Sequence, residues 1–180
     1  MKDFKLEFPE VDQSYSLMDL QKTLKGSVKQ TTGNLVTVLL NPKYCRAKKL
    51  YDGQIFYDIF TNEIKIQGKI IGEKGFNPNQ IRLWDDSLNN RLGLEIEKHF
   101  GLNYNANKMW DAVRFVANQY EISPPEQYLK NLTWKGDRNA IAKLLPTYLG
   151  AEDTELNAWI MEHMILGLIK RVFEPGAKFD

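Results

Sequence analysis

The sequence predicts an α+β fold that is mainly α: a helical domain with a small antiparallel β-hairpin or three-stranded sheet near residues 49–71. Three observations carry this reading. From residue 82 onward, apolar residues recur at helical spacing between capping signals. Between Leu50 and Ile71 the period drops to two, with turn residues between the runs. Near the end, Thr154–Phe173 is apolar almost all round and broken only by a narrow stripe of Glu155, Glu162, His163 and Lys170, the pattern of a helix covered by neighbours. That last helix is expected to be the central core helix.

Taken in order, residues 1–13 show no helical period around Pro9 and read as a loose or weakly docked arm. Residues 14–180 read as one helical domain with a β insertion at 49–75. Ser14–Lys29 places Leu17, Leu20, Leu24 and Val28 on one helical face, although Gly26 weakens its second half. Leu35–Leu40 is a short buried element. Its β-branched residues suit a strand and the family resemblance given below suits a helix, and helix is the expectation.

Gln54–Phe60 and Ile64–Ile71 alternate around the turn signal Thr61, Asn62 and Glu63. Gly72–Asn79 is a loop. Trp84–Ser87 offers an N-cap for a helix with Leu88, Leu92, Ile96 and Phe100 in step, closed by Gly101. Asn105 caps the next, which carries Met109, Ala112, Val113, Val116 and Tyr120. Ser123 and Glu126 form a capping box with proline at the first helical position. Asp137 is expected to cap a helix through Ile141, Leu144 and Leu145 that Pro146 bends or ends. The final helix starts with acids and finishes with Lys170 and Arg171, the order its dipole favours, and Pro175-Gly176 stops it.

The 180 residues, 43% hydrophobic and 26% charged, suit one ordinary globular domain, or one with an appendage. A net charge of +1 supplies no global field for nucleic acid, so any such surface must be local. One cysteine, Cys45, excludes an intrachain disulfide. No apolar run has membrane-span length and the start lacks a signal-peptide core, so a cytoplasmic location is the default expectation.

Catalytic signatures are missing from the sequence. Gly68, Lys69, Gly72, Lys74 and Gly75 lack phosphate-loop spacing and lie in hairpin context, where a plain loop is the simpler description. His99 and His163 are isolated, and Cys45 has no partner at metal-ligand spacing. Asp85 and Asp86 resemble a metal-binding acidic pair, but N-capping explains them more simply. No nucleophile is accompanied by a positioned histidine base. The chain therefore reads as non-catalytic, with no cofactor or metal.

Three stretches toward the C-terminus carry a resemblance. Trp134, Gly136, Asp137 and Arg138 come first. Tyr148, Gly150, Asp153 and Thr154 follow, and Arg171, Glu174, Pro175, Gly176, Lys178 and Asp180 close the chain. Together they look like the virulence-associated protein E family, phage- and island-encoded proteins similar to superfamily 3 helicases and often joined to primase modules. The resemblance is ordered over roughly the last hundred residues and looser upstream. The sequence departs from the family at Lys135, where an acid is usual, and at Pro146. In the family the last motif is followed by a strand and a phosphate-binding loop. The resemblance thus implies the N-terminal, pre-ATPase region of a mobile-element replication protein, either trimmed or a natural truncated product that interferes with its full-length relative.

What the residues then suggest is binding. Arg46, Lys48 and Lys49 lead into the β region, and Lys65, Lys69 and Lys74 follow its last strand and loop. Tyr51, Phe56, Tyr57 and Phe60 lie between them. Lysines for phosphates beside rings for stacking are what single-stranded DNA uses. The alternative is that the rings pack the sheet on the helices and the lysines protect an edge strand. At the first motif, Trp134 reads as a buried wedge and Asp137 as a cap, while Arg138 gains nothing from the helix dipole and suits a phosphate or a carboxylate on a downstream ATPase module. A DNA-binding and assembly module is the first expectation. A protein-interaction or oligomerisation module, docking a primase or a host replication factor, is the second.

Overall fold

The computed structural model describes residues 6–10, 14, 18–46, 50–70, 80–133, 137 and 139–178. These fall into two compact units, Met1–Ile122 and Ser123–Asp180, where the sequence reads as a single domain from 14 to 180. The class is α+β, mainly α, as the periodicities predict. The sheet is mixed and has four strands among the described residues.

In the N-terminal unit the chain forms α1 (Thr32–Leu40), α2 (Pro42–Cys45), β1 (Tyr51–Asp58), β2 (Glu63–Ile70), β3 (Ile81–Leu83), α3 (Asp86–Phe100), α4 (Ala106–Asn118) and β4 (Glu121–Ile122). The strand order is β3-β2-β1-β4. β1 and β2 are the predicted hairpin, antiparallel from Tyr51↔Ile70 to Asp58↔Glu63. β3 adds antiparallel to β2, and β4 adds parallel to β1 through Tyr57↔Glu121. Both additions are too short to show a period of two, which is why the alternation alone gives two or three strands.

One sheet face carries Ile55, Ile64, Ile66 and Ile70, which join Leu35, Leu39, Leu92, Ile96, Val113 and Val116 in the main core. Phe56 points to the opposite face, as strand alternation requires. There Leu6 and Ile122 bury it completely, and Phe8 packs at its edge with ring centroids 5.5 Å apart. The described part of the N-terminal arm is thus docked on the sheet. β1 and β2 approach closely at Gly53↔Gly68, where a β-carbon on either residue would lie 2.0 Å from the partner strand's carbonyl oxygen.

Leu35–Leu40 is helical, as expected. Thr31 accepts a hydrogen bond from the Asn34 N–H, and all six residues from Asn34 to Leu39 are buried. The helix expected over Ser14–Lys29 is not formed across 18–30. That segment folds back on itself through a Lys22↔Val28 bridge and a turn in which Gly26 takes φ +83, a conformation no helix interior accommodates. Tertiary hydrogen bonds compete with a helix for its backbone. The Asn34 side chain accepts from the Gln21 N–H and donates to the Gln21 and Lys29 carbonyls, and Asn41 donates to the Met18 carbonyl. Leu24, placed on the expected apolar face, is fully exposed.

α3 starts and stops where its caps predict, and α4 starts at its predicted cap but ends at Asn118, which leaves Tyr120 of the expected helical series beyond it. Asp85 accepts from the Leu88 N–H and Asn105 from the Lys108 N–H, and Gly101 closes α3 in the left-handed region. Among the described residues, every buried large apolar side chain lies between Leu6 and Ile122.

The C-terminal unit contains α5 (Pro124–Lys130), α6 (Leu144–Leu149) and α7 (Glu155–Phe173). Ser123 caps α5, accepting from the Glu126 N–H. Asp137 accepts from the Asn139 N–H, capping a turn rather than a helix. Pro146 neither bends nor ends its helix. It sits in the first turn of α6, where its missing N–H would have had no intrahelical partner. α7 runs about 28 Å from its Thr154 cap to Glu174. It is not the buried core helix that its composition suggests, since Gly167 is its only buried residue.

Candidate nucleic-acid interface

Apart from Arg138, the predicted basic and aromatic residues are drawn from one stretch, Arg46 to Lys74, but the hairpin separates them. Tyr51 to Asp58 spans seven strand steps, about 23 Å, and this distance divides the set into two ends. At the open end lie Arg46, exposed at the end of α2, and Lys69, exposed and opposite Asp52. Lys48 and Lys49, between Arg46 and β1 in sequence, lie outside the described residues, as do Lys74 and Arg138. At the turn end lie Lys65 and Phe60.

Lys65 is already committed. Its Nζ is 2.7 Å from Asp58 Oδ2 and 3.3 Å from Glu63 Oε2, with the Lys65 and Asp58 side chains 17% and 3% exposed. Asp58 also accepts from the Phe60 and Thr61 N–H groups, so this carboxylate ties the β1–β2 turn to β2. A cation held this way cannot neutralise a phosphate without leaving a buried carboxylate unpaired. Sequence reading passed over Asp58, whose i, i+7 relation to Lys65 across a turn was the available signal.

The rings divide similarly. Tyr51 donates to the Leu39 carbonyl at 2.7 Å, and burial pushes its phenol far above the ordinary range. Phe56 is buried under the arm, Tyr57 is half-buried, and Phe60 is exposed. The packing reading therefore accounts for Tyr51, Phe56 and Lys65. Arg46 and Lys69 remain as exposed cations at one end, and Phe60 as an exposed ring at the other. Sequence reading also passed over an i, i+4, i+8 stripe on α4, Trp110, Arg114 and Asn118, which borders a groove at the β1–β2 turn.

Cys45 is buried, and desolvation pushes its thiol upward, which disfavours the reactive thiolate. Among the described residues no group of three or more His, Cys, Asp or Glu is placed to hold a metal ion. No described helix is long and apolar enough to cross a membrane.

In the C-terminal unit several motif residues act as structural punctuation. Gly150 is the left-handed cap of α6, its N–H bonded to the Leu145 carbonyl. Asp153 receives Lys143 Nζ at 3.0 Å across the loop before α7. Glu174 ends α7 through its N–H to the Lys170 carbonyl, and the turn at Pro175-Gly176 is closed by the Ala177 N–H on the Glu174 carbonyl. Tyr148, Arg171 and Lys178 are exposed. Trp134, Gly136, Arg138 and Asp180 lie outside the described residues.

The surface of α7 is the larger surprise. Leu156, Trp159, Met164, Leu166 and Leu168 are each more than half exposed, and Ile160 and Phe173 are exposed beside them. Trp159 stacks on His163 with centroids 4.0 Å apart, one turn along the same helix. An apolar surface this extensive is unusual unless something covers it.

The family model of the virulence-associated protein E-like domain matches residues 129–180, within the C-terminal unit. The match covers the three motif stretches that carry the resemblance and is shorter than the hundred residues over which the sequence looks ordered. No curated protein matches the chain.

Proposed function

We propose that this chain is a non-catalytic DNA-binding and assembly module of a virulence-associated protein E-like replication protein, active in mobile-element replication. The match over residues 129–180 carries the reading. Its two arms draw on different observations. For assembly, the exposed apolar side chains of α7 offer a surface for a downstream ATPase module or a second copy of the chain. For DNA, Arg46 and Lys69 are exposed cations at the open end of the hairpin, with Lys48 and Lys49 adjoining Arg46 in sequence. A protein-interaction module that docks a primase or a replication factor is the second reading, and the α7 surface favours it.

The test is binding of the purified chain to a single-stranded oligonucleotide across a salt series. Weak binding that prefers single strands and falls steeply with salt is expected, since only a local cluster neutralises phosphates. The variant to compare replaces Arg46, Lys48, Lys49 and Lys69 with glutamate. Lys65 is left in place because a glutamate there would face Asp58 and Glu63. Loss of binding with an unchanged melt supports the DNA arm. No binding at low salt by the unaltered chain would sink it and leave the protein-interaction reading. Neither arm calls for nucleotide hydrolysis, and turnover of ATP that survives purification would overturn the non-catalytic part.

A further inference from the structure

The N-terminal unit contains a groove of about 610 Å³ between α4 and the turn joining β1 to β2. That volume is within the roughly 300–1,000 Å³ typical of small-molecule sites. One wall is aromatic, made by Tyr57, Trp84 and Trp110, and the polar side chains are Asn62, Arg114 and Asn118 with Glu63 and Glu121. We propose that this groove seats one unpaired nucleobase of a single-stranded nucleic acid, with the adjoining phosphate on Arg114. This rests on the DNA reading above and assigns it a different set of residues.

The walls are fixed before any ligand arrives. The Trp110 indole donates to Asp86 Oδ1 at 2.9 Å, and the Tyr57 hydroxyl donates to Asn62 Oδ1 at 3.2 Å. Trp84 is buried, and its backbone N–H bonds the Ile64 carbonyl at 2.8 Å. Asn62 itself holds a positive φ of 57°, which locks the turn that forms the groove's mouth. Rings held in this way offer a stacking surface at little entropic cost.

Donor geometry selects among the ligands such walls could take. An aromatic wall with carboxylates nearby also suits a quaternary ammonium. Here Glu63 shares Lys65 with Asp58, and the exposed Glu121 is a second carboxylate of the lining, while Arg114 forms no ion pair among the described residues. The Arg114 guanidinium supplies the planar donor fork that suits a phosphate and that a quaternary ammonium cannot use. Asn62 and Asn118 place amides where a base edge needs donors and acceptors. A planar ring system carrying an anion uses the aromatic wall, both amides and Arg114 together, and a nucleotide unit is such a ligand.

The experiment titrates the full chain with a short single-stranded DNA oligonucleotide and with its duplex, following tryptophan emission and anisotropy across a salt series. Quenching by the single strand and not by the duplex is expected. Arg114→Gln should weaken binding and lower the steepness of the salt dependence by about 0.7 to 1, the loss of one phosphate contact. Tyr57→Ala should weaken it roughly 5- to 150-fold, the range for one stacked base, and Tyr57→Phe should restore it. Because Tyr57→Ala removes a half-buried ring, Asn118→Ala on the exposed helix face serves as the second variant, expected to weaken binding with an unchanged melt. Unaltered affinity and salt slope in both Arg114→Gln and Asn118→Ala overturn the groove assignment. If the glutamate variant at Arg46, Lys48, Lys49 and Lys69 still loses binding, the DNA reading survives that failure. Quenching by an acidic aromatic peptide with none by the oligonucleotide also overturns the proposal.

Discussion

α4 and α7 are both rich in apolar residues, yet their burial is opposite. In α4, Met109, Ala112, Val113, Val116 and Ala117 lie on one face and are essentially inaccessible, while Asp111 and Arg114 on the other face are exposed. In α7 the apolar residues go nearly all the way round, and most are exposed. A one-sided stripe needs cover on one side only, and α1 and the sheet supply it. A helix that is apolar all round needs cover on every side, and the described helices of its unit that pack on α7 are α5 and α6, of seven and six residues. Apolarity thus reports a demand for burial. Whether the same chain meets that demand depends on what else the chain can bring to it.

The sharpest way to break the contrast is through the N-terminal sheet, where packing leaves no room. Gly53 and Gly68 face each other with φ of +118° and +137°, and an added β-carbon would meet partner backbone at 2.0 Å. Gly53→Val or Gly68→Val should cost more than ~4 kcal/mol, combining a strained backbone with a backbone clash. The expected result is loss of hydrogen-exchange protection throughout β1, β2 and the helices on them. Gly93→Ala in α3 is the control. A β-carbon there meets nothing nearer than Met109 Cγ at 3.9 Å, so it should stabilise by about 0.5–1 kcal/mol. Equal melts for the three variants would show that the strand approach is not as tight as described.

A smaller effect is expected at Asp58. Asp58→Ala removes the acceptor for Lys65, Phe60 and Thr61 together and leaves a largely buried ammonium with only Glu63 and the Thr61 hydroxyl among its described partners. A cost of about 2–4 kcal/mol follows from breaking a mostly buried pair along with two backbone hydrogen bonds. The double variant Asp58→Ala, Lys65→Met should recover part of it, because the uncompensated charge is gone. A double variant less stable than Asp58→Ala would mean that Lys65 is held by Glu63 and solvent, which would return it to the exposed cations.

Local signals in this sequence were legible where local chemistry decides. Asp85, Asn105 and Ser123 cap the helices they precede, Gly101 ends α3, and the Asn62 turn joins two alternating strands. Long-range demands were not legible. Ser14–Lys29 has the period of a helix, but Asn34 and Asn41 claim the backbone of 18–30, and no window of sequence shows that competition. β3 and β4 exist only through pairing with strands far away in sequence. At the candidate site, the sequence interleaves cations with rings, but the hairpin moves Phe60 and Lys69 to opposite ends. Trp110, Arg114 and Asn118 carried a visible i, i+4, i+8 spacing, yet the groove they border requires Tyr57 and Trp84 from other elements.

The smallest expected effect on stability tests the α7 half of the contrast most directly. Trp159 and Met164 lie five residues apart on α7, and both are more than half exposed. If α7 were the covered core helix that its composition suggests, removing the indole alone would cost ~3–5 kcal/mol. With both side chains exposed, Trp159→Gln combined with Met164→Gln should change stability by no more than about 0.5 kcal/mol, since glutamine is nearly as good a helix former as methionine and neither substitution opens a cavity. The same change should reduce self-association or docking through this face, read by sedimentation velocity over a concentration series. A large drop in melting temperature at a concentration where the chain is monomeric would show that α7 is covered from within the chain. A large drop seen only at concentrations where the chain associates would instead place the cover on a second copy, because an interface stabilises each protomer in proportion to its occupancy.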